Sequence, residues 1–242
     1  MPDLQDQVAV VTGASSGIGK AIALQLAARG TQLYLVGRHL DALESVAAVA
    51  RQTSANVLVD GTDLTADRAI DQLKAKLTAT FGGVDILVHS AGIIRRGTVA
   101  IAPVADFDQQ YAINVRAPYL LTQTLLPLLM AQQGQVVFIN SSVIQGVRPG
   151  IGQYAATKQA LKAIADTLRA EVNPQRVRVL SVYPGRTATP LQRDLHAQDG
   201  KDYHPDSLMQ PEDVAAAVVS ALTLPRTAEV TDIYLRPFSA PL

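Results

Sequence analysis

The sequence predicts an α/β fold of the doubly wound kind, a parallel sheet of about seven strands with helices on both faces. Three observations carry this. Seven short β-branched runs recur along the chain, separated by segments of helical length and spacing. The first six runs are nearly continuous in apolar residues, as strands buried on both faces are. No proline- or glycine-rich linker and no repeat of solenoid period interrupts the alternation, so residues 1–242 read as one domain.

Taken in order, QVAVV from residue 7 is the first strand and GKAIALQLAAR the first helix. QLYLV from 32 follows, then the helical pattern LDALESVAAVARQ, for which Asp41 is read as a capping residue. NVLVD from 56 leads to ADRAIDQLKAKLTATF, for which Thr65 is a capping residue, and DILVH from 85 is the fourth strand. A long helix is expected over about 106–130, then QVVFIN from 135, a second long helix over about 153–172, and RVRVLSVY from 176. Residues 192–207 form the longest polar stretch, read as a candidate mobile lid. PEDVAAAVVSAL then opens with Pro211 and two acids, a common helix start, and TDIYL from 231 is the last strand.

A chain that is 48% hydrophobic and 17% charged suits a compact domain with a large core. Lys plus Arg equals Asp plus Glu at 21 each, so no net field is available to hold nucleic acid or a membrane surface. The absence of cysteine removes disulfides, thiolate catalysis and cysteine-based metal sites. His39, His89, His196 and His204 show no metal-ligand spacing, and no structural metal is expected. The opening MPDLQDQ lacks the basic and apolar regions of a signal peptide, and no run of 18 apolar residues follows, so a cytoplasmic protein is expected.

Three glycines at 13, 17 and 19 stand where the first strand hands over to the first helix. A helix N-terminus there offers unpaired N–H groups and the positive end of its dipole to a phosphate. Gly13 permits a tight turn, Gly17 a close approach of pyrophosphate, and Gly19 the packing of helix on strand. A triphosphate-binding P-loop is disfavoured because Ala14 and Ala21 stand where that motif needs glycine and a hydroxyl. GASSG also matches the nucleophile elbow of α/β-hydrolases with Ser15 as nucleophile, although Ser15 follows the first strand instead of a later one. A glycine turn without a ligand is the plain alternative.

TGASSGIG at 12–19 resembles the cofactor loop TGxxxGIG of the short-chain dehydrogenase/reductase family. YAATK at 154–158 is similar to that family's YxxxK, HSAG at 89–92 to its NNAG, the asparagine at 114 to its catalytic asparagine, and YPGRTAT at 183–189 to its PGxVxT segment. All lie in family order, and the resemblance covers essentially the whole chain. It implies a Rossmann-type version of the doubly wound fold and carbonyl–alcohol interconversion with a nicotinamide dinucleotide.

On that resemblance Tyr154 moves the proton. Its pKa near 10 must fall by about 3 pH units to serve near neutrality, about 4 kcal/mol. Lys158, one helical turn on, supplies a charge worth about that much at about 4 Å and a dielectric near 20. Lys158 also binds the nicotinamide ribose. Ser141 stands 13 residues before the tyrosine and is the candidate to orient the substrate oxygen, with Ser142 in reserve. Asn114 resembles the residue that holds a water beside the lysine.

The resemblance places the cofactor along Gly13, Ser15, Ser16, Gly17, Ile18 and Gly19, with Asp63 and Leu64 at the adenine and Ser90, Ala91 and Gly92 along the adenosine. Tyr154 and Lys158 meet its nicotinamide half, and Pro184, Gly185, Thr187 and Thr189 hold the carboxamide. After the second strand an NAD site places an acid, whereas this chain has Gly37 and Arg38, so NADP(H) is favoured over NAD(H). Arg95, Arg96, Arg148, Arg186 and Arg193 fall on the loops that shape the pocket and raise the option of an anionic substrate. The long helices resemble those that build the family's dimers and tetramers, which implies a homodimer or homotetramer, and their apolar content exceeds what one core-facing stripe requires. A small carbonyl or alcohol is the expected partner, and a regulatory protein that binds NADP(H) without catalysis is the rival class.

Overall fold

The computed structural model describes residues 4–146 and 148–238. Seven parallel strands, β1 Val8–Thr12, β2 Gln32–Val36, β3 Val57–Asp60, β4 Ile86–His89, β5 Gln135–Ile139, β6 Arg178–Pro184 and β7 Asp232–Leu235, form one sheet in the order β3-β2-β1-β4-β5-β6-β7. The order reverses between β1 and β4. In such a sheet the crevice beyond the carboxyl ends of the strands at the reversal is where ligands bind.

Strand side chains alternate between two apolar layers, which is why the runs are apolar throughout. Ala9, Val11, Leu33 and Leu35 meet helices α1 Gly17–Ala27, α2 Leu40–Ala50 and α8 Pro211–Leu222. Val10, Tyr34, Val36 and Phe138 meet the opposite set, α3 Asp67–Phe81, α5 Ala117–Ala131 and α6 Gly152–Val172. Of the seven strands only β7, at one sheet edge, has no buried residue.

Two segments differ from a plain reading of helical periodicity. The long helix expected over 106–130 is α4 Val104–Tyr111 joined to α5 by a π-helical turn, Ala112–Arg116, which widens the helix at Asn114. The polar stretch 192–207 is helical over its first part. Helix α7 Pro190–Gln198 begins within the preceding motif, where the Thr189 side chain accepts from Gln192 N and Pro190 sits in the first turn.

Candidate active site

The turn after β1 has the shape that its glycines permit. Gly13 and Gly17 lie at φ +66° and +53°. A side chain at Gly13 would come within 2.7 Å of Ala91 N, and one at Gly17 within 3.0 Å of Thr189 Cγ2. At Gly19 it would collide with the Gly13 carbonyl, so α1 can start this close to β1 only with glycine there. Ser16 precedes the helix in extended conformation and makes no side-chain cap, leaving the first-turn N–H groups directed at the crevice.

Thr12, at the last position of β1, braces the crevice across the switch point. Its hydroxyl donates to Val88 O at 3.2 Å and accepts from Ser90 N and Ala91 N at 3.1 and 3.2 Å. His89 takes no part in the site. It is buried, stacked on Phe138 at 4.9 Å and within 2.8 Å of Thr122 Oγ1, and burial lowers its pKa to about 3, so the ring is neutral.

A cavity of about 490 Å³ runs from Arg38 and Asp63, past the glycine turn, to Ser141 and Tyr154. Every expected cofactor residue lines it except Gly19, which stands behind the turn. At its far end the Asp63 carboxylate accepts from Thr65 N and Thr65 Oγ1 at 3.0 and 2.7 Å. Those bonds, and more weakly the charge of exposed Arg38, hold its pKa below the usual carboxylate range. His39 also lines this end, a residue that a lone histidine in sequence does not single out.

Tyr154 and Lys158 project from α6 toward the carboxyl end of β5. Lys158 is 4% exposed, donates to Ile139 O at 3.0 Å, and lies 5.8 Å from the centre of the Tyr154 ring. Burial lowers its pKa to about 8, so it is still mainly protonated at pH 7. The Tyr154 phenol does not show the depression expected from that charge. Burial raises its pKa, the Ser141 hydrogen bond offsets this only in part, and the ammonium is directed to the Ile139 carbonyl. Ser141 Oγ also accepts from Val143 N at 3.2 Å, while Ser142 begins a short 3₁₀ turn.

Asn114 lies behind the cavity wall. Its amide grips the Ile93 backbone on both sides, accepting from N and donating to O at 2.9 Å each, and donates to Thr157 Oγ1 at 3.1 Å. A side chain at Gly92 would stand 3.3 Å from Asn114 Oδ1 and 3.8 Å from Lys158 Nζ, so the backbone at Gly92 passes close to both groups. Asn140 is a linking residue that sequence reasoning missed. Buried, it accepts from Ser141 N at 2.9 Å and donates to Lys158 O at 3.1 Å, tying the serine loop to α6.

Of the five loop arginines, Arg96, Arg148 and Arg186 line the cavity. Arg95 turns back to Ile94 O at 3.4 Å, and Arg193 lies 3.9 Å from Asp194. Arg96 donates to Asp199 at 2.6 Å and so joins the loop after β4 to the end of α7.

The fold and the contents of this crevice define a dinucleotide-type α/β enzyme, and comparison with known proteins makes the class specific. The family model for short chain dehydrogenase matches residues 7–200, and the chain belongs to that family. It is a dehydrogenase/reductase. An uncharacterised oxidoreductase of Staphylococcus aureus (strain N315) is 35% identical over 239 residues, spanning 98% of this chain and 100% of that one. Glycine betaine reductase ATRR of Emericella nidulans is 35% identical over 99% of this chain, which corresponds to 19% of that longer protein. Among solved structures, an alcohol dehydrogenase from the archaeon Thermococcus sibiricus complexed with 5-hydroxy-NADP superposes with a TM-score of 0.89 at 29% identity, over 98% of this chain and 99% of that one. L-sorbose reductase from Gluconobacter frateurii, complexed with NADPH and L-sorbose, gives 0.86 at 28% identity over 97% of each chain. Family membership removes the hydrolase reading of Ser15. Among the described residues no helix is long and apolar enough to cross a membrane.

Proposed function

We propose that this protein interconverts a carbonyl compound and its alcohol with NADP(H) as the redox partner. The observation that carries the proposal is the meeting of Ser141, Tyr154 and Lys158 at one end of a cavity whose middle is the glycine turn.

The crevice fits a dinucleotide. Its turn is shaped so that added side chains at Gly13, Gly17 or Gly19 would strike protein, and the uncapped start of α1 suits a pyrophosphate. Exposed Arg38 at the far end suits a 2′-phosphate, and this favours NADP(H) over NAD(H). When bound, the cofactor supplies or accepts the hydride.

The remaining chemistry belongs to the chain. Ser141 holds the substrate oxygen by its hydroxyl, and Tyr154 gives that oxygen a proton or removes one from it. Lys158 keeps a positive charge beside the tyrosine ring. Its ammonium also meets the ribose, while Asn114 fixes the Ile93 segment and holds a water that links Lys158 to solvent. Ser141 is preferred to Ser142 because its hydroxyl is the one that acts on the Tyr154 phenol, partly offsetting the rise that burial causes. A homodimer or homotetramer accompanies this reading, supported by Tyr111 and Tyr119 standing 47% and 53% exposed on α4 and α5.

The test is a fluorescence titration with NADPH and with NADH at one ionic strength, followed by turnover of wild type and Tyr154→Phe on carbonyl substrates. NADPH should bind more tightly, and the variant should lose about 10²–10⁴-fold in rate while still binding cofactor. Absence of binding by either dinucleotide, or a Tyr154→Phe protein with near-normal turnover, refutes the proposal.

A further inference from the structure

The inference rests on the proposed function and narrows its substrate class. The two ends of the cavity differ in charge. The only acidic side chain lining it among the described residues is Asp63, which stands at the far end near Arg38. Lys158 also lines it, with three guanidinium groups from the loops that leave the half of the sheet carrying Ser141 and Tyr154, Arg96 after β4, Arg148 after β5 and Arg186 after β6.

These cations are not equally engaged. Lys158 is committed to Ile139 O, and Arg96 already holds the Asp199 carboxylate. The guanidinium groups of Arg148 and Arg186 make no hydrogen bond or ion pair with the described residues, and both residues are exposed. The same loops and α7 add apolar side chains to the wall, Ile94, Val143, Ile151 and Leu195. Such walls concentrate the field of nearby charges into the cleft and raise the local concentration of anions. A guanidinium also matches a carboxylate geometrically, with two parallel N–H donors for two oxygens.

We propose that the substrate is a carbonyl compound carrying a carboxylate, held by Arg148 and Arg186 while its apolar body lies against the aliphatic wall and its carbonyl reaches Ser141 and Tyr154. Such a ligand places its negative charge where the protein presents unpaired positive charge, and places none near Asp63.

Calorimetric titration of the wild-type protein saturated with NADP⁺ separates binding from turnover, because the oxidised cofactor cannot reduce an aldehyde. The probes are 4-carboxybenzaldehyde and its size-matched amide, 4-carbamoylbenzaldehyde. The acid should bind at least about tenfold more tightly, equivalent to about 1.4 kcal/mol, and the preference should shrink with added salt. In Arg148→Gln and in Arg186→Gln the acid-to-amide ratio should fall, and in the double variant it should approach one. Equal affinities, no detectable binding of the acid, or a ratio unmoved in the double variant overturns the proposal. A titration of each variant with NADPH serves as the folding control. If Arg186→Gln weakens NADPH binding while the acid preference persists, that arginine serves the cofactor and the proposal falls. Failure of the wild type to bind NADPH at all would instead sink the function on which this inference rests.

Discussion

Replacing Lys158 by Met should make the protein more stable near neutrality while removing its activity. The lysine is 4% exposed, and burial brings its pKa from 10.5 to about 8. At about 1.36 kcal/mol per pH unit, that drop is a handicap of about 3 kcal/mol to the folded state with the amine charged. Methionine has a similar length and no charge to desolvate. Against this gain stands the loss of the donor to Ile139 O, a buried carbonyl whose missing partner costs about 1–2 kcal/mol. The expected net is a gain of about 1–2 kcal/mol at pH 7, or an unfolding midpoint raised by about 2–8 °C in a chain of this size.

The dependence on pH identifies the cause. Below pH 8 the amine is protonated in both states and the handicap is complete. As pH rises through about 8 the folded protein releases the proton while the unfolded chain keeps it to 10.5, so the wild type gains on the variant across that window. Urea denaturation of both proteins at fixed concentration, at pH 7 and pH 10, reads the difference, since all other titrating groups are shared. A stability gap that does not change with pH, or a variant already less stable at pH 7, refutes the reasoning.

Other outcomes follow from single contacts. Thr12→Val keeps the shape of the side chain but leaves Val88 O, Ser90 N and Ala91 N without their hydroxyl partner, and should cost about 2–3 kcal/mol in denaturant unfolding. It should also weaken NADPH binding, because the Ser90–Ala91 wall is then held less firmly; an unchanged dissociation constant would show that the wall is fixed by other means. Arg38→Asp should reverse the cofactor order, with NADH binding more tightly than NADPH, and an unreversed order in the same titration would remove Arg38 from recognition of the 2′-phosphate.

Much of this architecture was legible because its signals are local. Continuous apolar runs such as QLYLV mark strands covered on both faces, and each appears as a strand within a residue or two of its expected start. The glycines were legible for a similar reason, since few backbones other than a tight strand-to-helix turn need three of them in seven residues. What escaped was set by distant partners. Thr12 reads as an ordinary β-former, and only the approach of residues 88–91 turns its hydroxyl into a brace. Asn140 reads as the polar end of a strand, and its link to Lys158 depends on how α6 crosses over β5. The π turn at Asn114 has no periodic signature, because one widened turn leaves the apolar pattern on either side nearly intact. The Tyr154 phenol shifts opposite to the direction its spacing from Lys158 suggests for the same reason, since burial is a property of the assembled site and a spacing of four residues reports only the neighbouring charge.

The bond from Ser90 N to Thr12 Oγ1 spans 78 residues of chain, and β1 pairs with β4 alongside it. A growing polypeptide therefore presents its glycine turn long before the wall opposite has been synthesised. Chains emerge N-terminus first, so the early β1–α1–β2 segment must wait, with its crevice half built, for residues 86–92 to arrive. A ligand whose site needs both sides of that crevice stabilises only chains that have closed the sheet at its centre, so its effect falls on completed molecules.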